Sequence, residues 1–81
     1  MKTLKVKLFG VLTEIAASSE VELNVDFLES IGVLELQAEL IKKYPAMKLV
    51  QLKIAVNNQF VSDGQCHEGD IIAVMPPFSG G

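Results

Sequence analysis

Apolar and polar residues alternate along three stretches of the chain, and this pattern predicts strands that bury one face. The first stretch covers residues 4–8, the second residues 21–25 and the third residues 52–57. Because only a short segment separates the first two strands, we expect them to pair in an antiparallel manner. That segment, residues 11–19, fits either a helical turn or a loop.

A helical spacing of apolar residues follows the second strand. From Val33 to Tyr44 they recur at intervals of three and four, which defines one buried helix face. Ser30 is expected to cap the start of this helix with its hydroxyl. Pro45 is expected to stop it, because proline lacks the backbone N–H that a helix needs.

The segment after the third strand predicts a hairpin and then a central strand. Asn57-Asn58 can turn the chain because asparagine tolerates left-handed backbone angles, and Phe60 and Val61 begin the return strand. Ile71–Met75 is apolar on both faces, as a central strand of a sheet is. One helix covering one face of a mixed sheet, with the last strand beside the first, predicts an α+β fold of the β-grasp, or ubiquitin-like, type.

The composition narrows the class of protein. A chain of 81 residues makes one small domain, and with 49% apolar residues some apolar surface should remain outside as a partner-binding face. The net charge is −3 and all seven basic residues are lysines, so we expect no nucleic-acid binding. No apolar run approaches the ~20 residues of a membrane span, and a single cysteine fits a reducing compartment. We therefore expect a cytoplasmic protein that does not enter membranes.

The sequence ends in the tail Pro76-Pro77-Phe78-Ser79-Gly80-Gly81. Prolines fix the direction in which the tail departs, and glycines can pass a narrow channel because they lack Cβ. Six extended residues span at most roughly 20 Å, enough to enter a neighbouring active site. We therefore expect a β-grasp domain over residues 1–75 and an extended tail over residues 76–81. An ordinary frayed terminus is the alternative.

The sequence resembles the small subunit of molybdopterin synthase, in the wider family of ubiquitin-like sulfur carrier proteins. The resemblance covers essentially the whole chain and is strongest in Ala55-Val56-Asn57, in residues 68–74 and in the tail. The Pro-Pro-x-Ser/Thr-Gly-Gly ending is specific for the molybdopterin branch. The chain departs from the family at Leu12-Thr13-Glu14, where many relatives carry an arginine followed by an acidic residue.

The resemblance implies a role in sulfur transfer, with Gly81 as the carrier and Gly80 as part of the threading tail. An E1-like partner adenylates the terminal carboxylate with ATP, and a sulfurtransferase or cysteine desulfurase supplies the sulfur of a thiocarboxylate. The large subunit of the synthase uses that sulfur to build the molybdopterin dithiolene from a cyclic pterin phosphate. The chain itself is then a non-catalytic, cofactor-free subunit of a heterotetramer.

The resemblance also implies that apolar residues on the sheet face opposite the helix dock the partners. Phe9 falls on the lysine side of the first strand, which predicts an exposed ring. Burial of some of these residues in the core is the alternative. The expected interface comprises Phe9, Phe60, Met75, Pro76, Pro77, Phe78 and Ser79.

Three other functions remain open from the sequence. The chain could carry sulfur for thiamine or another thio-compound, or form isopeptide bonds as a ubiquitin-like modifier, because the same adenylate serves both fates. It could also be an interaction module with an inert tail. Cys66-His67-Glu68 resembles a reactive cluster, but adjacent side chains rarely point at one another and no second cysteine or histidine completes a metal site. We expect a loop cysteine without a role in sulfur carriage.

Overall fold

The computed structural model describes residues 2–77, so Phe78, Ser79, Gly80 and Gly81 lie outside the described residues. Among residues 2–77, no helix is long and apolar enough to cross a membrane. The elements, in chain order, are β1 (Lys2–Leu8), α1 (Val11–Ala16), β2 (Glu20–Val25), β3 (Ile31–Gly32), α2 (Val33–Lys43), a 3-10 helix (Pro45–Leu49), β4 (Lys53–Val56), β5 (Gln59–Val61), β6 (Gln65–Cys66) and β7 (Ile72–Met75).

Five strands form a mixed sheet in the order β2-β1-β7-β4-β5, and β3 pairs with β6 in a separate two-stranded sheet. β1 and β2 are antiparallel, with Lys7 opposite Glu20. β7 runs parallel to β1, with Val6 opposite Ile72, and antiparallel to β4. The predicted central position of the last strand beside the first is confirmed, and so is the β-grasp fold. The prediction succeeded because β7 is paired on both edges, so that neighbouring strands shield its apolar side chains. Ile72 and Val74 are buried in the core, and Ala73 and Met75 are half-buried on the other face.

The core lies between α2 and one face of the large sheet. Leu36 and Leu40 of α2 are fully buried, together with Met47 of the 3-10 helix. They meet the side chains of β1 and β7 that point towards the helix, such as Val6 and Val74, which are also fully buried. Burial of one such side chain stabilises the fold by about 1.5–3 kcal/mol. Within residues 2–77 no helix covers the opposite face of the sheet, which we call the open face.

The β4–β5 hairpin turns as its asparagines predict. Asn57 and Asn58 both have positive φ angles, 52° and 68°, which the two-residue hairpin turns that match strand twist require. Val56 and Gln59 close the turn as the last strand pair. The turn therefore fixes Phe60 opposite Ala55.

The expected capping of α2 by Ser30 is wrong. The residue before the helix is Gly32, in an extended conformation, and no side chain caps the first turn. The Ser30 hydroxyl instead donates to Oε1 of Gln65 at 2.7 Å, and the N–H of Val33 donates to the carbonyl of Gly64 at 2.9 Å. Contacts from a distant loop thus satisfy groups that a local cap was expected to satisfy. The helix ends at Lys43, just before Pro45, as predicted.

Candidate functional site

The root of the tail lies where β7 ends beside the turn that follows β1. The N–H of Phe9 donates to the carbonyl of Val74 at 3.2 Å, which continues the β1–β7 ladder one residue beyond the end of β1. Gly10 then turns the chain into α1, and its carbonyl accepts from both the N–H and the hydroxyl of Thr13, at 3.1 and 2.8 Å. Backbone hydrogen bonds on both sides thus hold this turn in place.

Gly10 packs against the ring of Pro76, the first residue of the tail. A Cβ placed on Gly10 would lie 2.9 Å from Cγ and 3.2 Å from Cδ of Pro76, closer than side chains tolerate. The φ of 61° and ψ of −139° at Gly10 are also a backbone conformation that only glycine adopts readily. Gly10 thus lets the first turn approach the half-buried Pro76 and fixes where the tail departs.

The open face has an apolar half beside this root. Strand alternation and register place six neighbouring side chains there, because Lys53 lies opposite Met75 and Ala55 lies opposite both Phe60 and Ala73. The rings of Phe9 and Phe60 are 47% and 59% exposed, so neither belongs to the core. The ammonium of Lys53 lies 5.8 Å from the centre of the Phe60 ring. The apolar half consists of Phe9, Lys53, Ala55, Phe60, Ala73 and Met75.

The other half of the open face is charged. Lys5 and Lys7 of β1 lie opposite Glu22 and Glu20 of β2. These residues line a concave region of about 540 Å³ that reaches the turn before β7. Such opposed charges favour hydration over burial, so an apolar partner surface would be confined to the half that adjoins the tail.

A polar network fixes the start of β7, at the end of the strand away from the tail. The side-chain oxygen of Asn57 accepts from the N–H of Ile71 at 2.9 Å, and its amide donates to Asp70 at 3.2 Å. The other Asp70 oxygen accepts from the N–H of His67 at 2.8 Å and lies 3.6 Å from Nδ1 of the same residue. The hydrogen bond from the His67 N–H, then that from Asn57, and the nearby His67 ring lower the pKa of the Asp70 carboxyl.

Cys66 and His67 do not form a joint reactive site. Cys66 was expected in a loop, but it lies in β6 opposite Ile31 and is completely buried in the core. Burial, and secondarily the charge of Asp70, raises the pKa of its thiol, which disfavours the nucleophilic thiolate. The His67 side chain is 61% exposed and points elsewhere. Over residues 2–77 no three His, Cys, Asp or Glu side chains converge into a metal-binding group.

Comparison with known families decides the identity. The sequence matches the ThiS family over residues 6–81, which include the end of β1, all later elements, the tail root and the tail. This chain belongs to the ThiS family. It is therefore a ubiquitin-like protein of the sulfur carrier and modifier class, whose members work with partner enzymes. Comparison with curated proteins found no significant match.

Solved structures of archaeal relatives share the fold of this ThiS-family chain. A Pyrococcus furiosus protein provisionally named molybdopterin converting factor, subunit 1, is 28% identical, with a TM-score of 0.80 over 96% of this chain and 100% of that one. The small archaeal modifier protein 1 of Haloferax volcanii is 25% identical, with a TM-score of 0.81 over 96% and 100%. The Methanosarcina acetivorans protein of that name is 27% identical, with a TM-score of 0.76 over 100% and 98%.

The site of this ThiS-family chain was predicted in part from the sequence. Phe9, Phe60 and Met75 occupy one face, as expected, while their role in docking stays a prediction. Pro76 and Pro77 lie at the described end of the chain, and the remaining tail residues are beyond it. Sequence reasoning missed Gly10, and the signal that could have revealed it is a glycine directly after a predicted strand.

Proposed function

We propose that this protein carries sulfur as a thiocarboxylate on the carboxyl group of Gly81 and serves as the small subunit of a molybdopterin synthase. The observation that carries the proposal is the family match, which extends to the Gly80-Gly81 ending. The Pro-Pro-Phe-Ser stem before it resembles the molybdopterin branch. The relative from Pyrococcus furiosus, named for that pathway, supports the same assignment.

The proposed chemistry follows from the properties of a carboxylate. A terminal carboxyl group with a pKa near ~3.5 is ionised at neutral pH and resists nucleophilic attack. An E1-like enzyme transfers AMP from ATP to the carboxylate and releases pyrophosphate. The terminal sulfur of a persulfide on a sulfurtransferase or cysteine desulfurase then attacks the adenylate and displaces AMP, which gives an acyl disulfide. A second thiol cleaves its S–S bond, ends in a disulfide with the donor cysteine and leaves the thiocarboxylate. The large subunit takes this sulfur for the dithiolene, and hydrolysis returns the carboxylate.

The geometry of the tail root suits delivery to two active sites in turn. The Gly10–Pro76 contact fixes where the tail leaves the domain, next to the apolar half of the open face. A partner that covers Phe9, Phe60 and Met75 would therefore hold its own active site within reach of the tail. The six tail residues span at most roughly 20 Å when extended. Neither the activating enzyme nor the large subunit would need to unfold the β-grasp domain.

A second candidate is conjugation of the protein to lysines as a ubiquitin-like modifier. Three of the structures that share its fold, from two archaea, are named small archaeal modifier protein 1, which favours this candidate specifically. Both candidates use the same acyl adenylate, and they differ in the nucleophile that attacks it. Sulfur gives a carrier, and a lysine amine gives an isopeptide bond.

Intact mass measurement separates these functions. The full chain is incubated with an E1-like enzyme, ATP and a sulfur donor, and its mass is compared with that of the untreated chain. The proposal expects a gain equal to the exchange of one oxygen for sulfur, located on Gly81 by fragmentation. The loaded protein should then support molybdopterin formation with a large subunit. Unchanged mass under these conditions would overturn sulfur carriage, and isopeptide adducts on other proteins would favour the modifier.

A further inference from the structure

The outer edge of β2 presents alternate backbone groups away from the sheet. β2 is an edge strand, because β1 alone pairs with it among the residues that the structure describes. The carbonyl of Glu22 accepts a hydrogen bond from Nζ of Lys43 at 2.9 Å, so it points away from β1. Ser19, three residues earlier, accepts from Leu8 at 2.8 Å and so points towards β1. Since direction alternates along an antiparallel strand, Glu22 and Asn24 direct both N–H and C=O to the free edge. The outward N–H and C=O of Glu20 are already bonded to the Ser18 hydroxyl, at 3.2 and 2.6 Å.

A groove runs along this edge between β2 and α2. Two adjoining cavities of about 330 and 540 Å³ share Asn24, Val25 and Glu39 in their walls. Apolar side chains of both elements contribute to the lining, and the β2 side of the groove runs from Leu23 to Asp26, about 13 Å of extended chain. The groove thus has the dimensions and the backbone donors and acceptors that one added strand requires.

The charges of the groove are separated along its length. Lys42 and Lys43, at the end of α2, line one end. Glu35, in the first turn of the same helix, lines the other end together with Asp26, and Glu39 lines the middle, where the two cavities join. A strand that fits this groove therefore carries an acidic side chain at the lysine end and a basic side chain at the glutamate end.

We propose that an extended segment of a partner protein adds to β2 as a sixth strand, with an acidic residue against Lys42 and Lys43 and a basic residue against Glu35 and Glu39. In the free protein the Lys43 ammonium caps the Glu22 carbonyl. An added strand replaces it with a backbone N–H, and the released ammonium pairs with the carboxylate of the incoming segment. Strand addition of this kind takes affinity from the main chain and specificity from alternate side chains.

A second copy of this chain fits the edge less well than such a segment. Pairing of β2 with another β2 would bring Glu20 and Glu22 of the two copies together at the same edge, and like charges on adjacent strands repel. The groove is also separate from the apolar half of the open face, which belongs to β7, β4 and β5. The proposal therefore does not rest on sulfur carriage, and a bound segment leaves Phe9 and Phe60 uncovered.

Amide hydrogen exchange of the full-length protein tests the proposal with two synthetic peptides. One is Asp-Thr-Val-Thr-Lys, in which the aspartate, the valine and the lysine share one face of the strand, and the other has the reverse order, so that either strand direction is sampled. We expect one of them to slow exchange at Glu22 and Asn24, while Leu23, already bonded to β1, changes little. An N-methylated version of the same peptide should bind about three- to tenfold more weakly, because it lacks backbone donors.

A charge exchange supplies the matched test of register. Lys43→Glu should weaken the binding of the preferred peptide by about fivefold, and a peptide whose aspartate is replaced by lysine should regain it, because its basic residue at the glutamate end is kept. Lys48→Glu makes the same charge change in the 3-10 helix, outside the groove, and should leave both affinities unchanged. Absence of protection with both peptides at millimolar concentration would overturn the proposal. Uniform protection of all β2 amides would also overturn it. So would protection of alternate β2 amides that increases with protein concentration in the absence of peptide, because the occupant would then be a second copy of the chain.

Discussion

Gly10 and Pro76 touch across the point where the chain leaves the sheet. They are 66 positions apart in sequence. A Cβ on Gly10 would nevertheless come within 2.9 Å of the Pro76 ring. The contact joins the turn after β1 to the residue after β7. Two contacts therefore hold the tail root in place. One is the hydrogen bonding between the parallel strands β1 and β7, and the other is the packing of Gly10 against Pro76.

Substitution of Gly10 by alanine should lower the free energy of unfolding by about 2–4 kcal/mol. About 1–3 kcal/mol comes from a backbone conformation that disfavours Cβ, and the rest from overlap with Pro76. Because the overlap also pushes the tail root aside, sulfur loading should slow even at temperatures where the variant is fully folded. Denaturant unfolding and single-turnover loading, followed by mass, measure the two effects separately.

Gly64→Ala provides the control for Gly10→Ala. Gly64 also has a positive φ, 113°, but nothing lies within 4 Å of a Cβ placed there. It should therefore lose about 1–3 kcal/mol of stability from strain alone and load sulfur at the wild-type rate when folded. Equal loading by both variants would show that the contact with Pro76 does not position the tail.

Substitution of Phe9 by lysine should weaken partner binding more than folding. Its ring is 47% exposed on the apolar half of the open face, so the unfolding free energy should change by less than about 1 kcal/mol. If the ring docks a partner, its loss should weaken affinity by about tenfold or more, as expected of a buried aromatic anchor. Calorimetric titration with the large subunit and thermal unfolding measure the two quantities.

Leu28→Lys is the matched control for this docking test. Leu28 is 91% exposed and lies in the loop after β2, away from the apolar half. It should leave both affinity and stability nearly unchanged. If Phe9→Lys lost stability and affinity in the same proportion, the ring would act in the core rather than at an interface.

Acid should remove the stabilisation that Asp70 provides. The folded protein lowers the pKa of this carboxyl, chiefly through the N–H of His67, relative to about 3.9 in an unfolded chain. The contribution is therefore complete above about pH 4 and is lost as the pH falls through the lower folded pKa. The stability difference between wild type and Asp70→Asn should shrink as the pH falls below about 4. Urea unfolding from pH 7 to pH 2.5 checks this, and a constant difference would contradict it.

The fold was largely readable from the sequence because its strongest signals are local. The apolar residues of Ile71–Met75 on both faces predicted the central strand, and Asn57-Asn58 predicted the hairpin turn. Signals failed where distant contacts decide the outcome. Ser30 bonds to Gln65 rather than capping α2, and two-residue strands such as β6 are too short to show alternation.

The candidate site was also predicted where its signals are local and missed where distant contacts decide the outcome. Alternation placed Phe9 on the open face correctly, because a period of two fixes which side of a sheet a residue occupies. The Gly10–Pro76 contact could not be predicted, because it requires the parallel register of β1 and β7 to be known. The burial of Cys66 could not be predicted either, because it depends on the distant pairing of β6 with β3, in which Cys66 lies opposite Ile31.

Substitution of Cys66 by alanine should cost stability and leave sulfur carriage intact. The thiol is completely buried, so its removal leaves a small cavity worth about 1–2 kcal/mol. Thermal unfolding measures this loss, and mass spectrometry of the folded variant after loading should still show one sulfur per chain on the tail. Loss of loading in the folded variant would mean that the cysteine takes part in sulfur transfer.

Changes at the last residue should abolish function and spare the fold. Deletion of Gly81, or addition of one alanine after it, removes or displaces the carboxyl group that the proposal places in the partner's active site. Because β7 ends at Met75, the hydrogen bonds of the sheet remain, and the unfolding free energy should stay within about 0.5 kcal/mol of wild type. Molybdopterin formation with the large subunit should fall to background for both variants. The control is an alanine added before Met1, which lengthens the chain equally but leaves the carboxyl free and should keep full activity. Full activity of the chain extended after Gly81 would rule out its carboxyl group as the sulfur carrier.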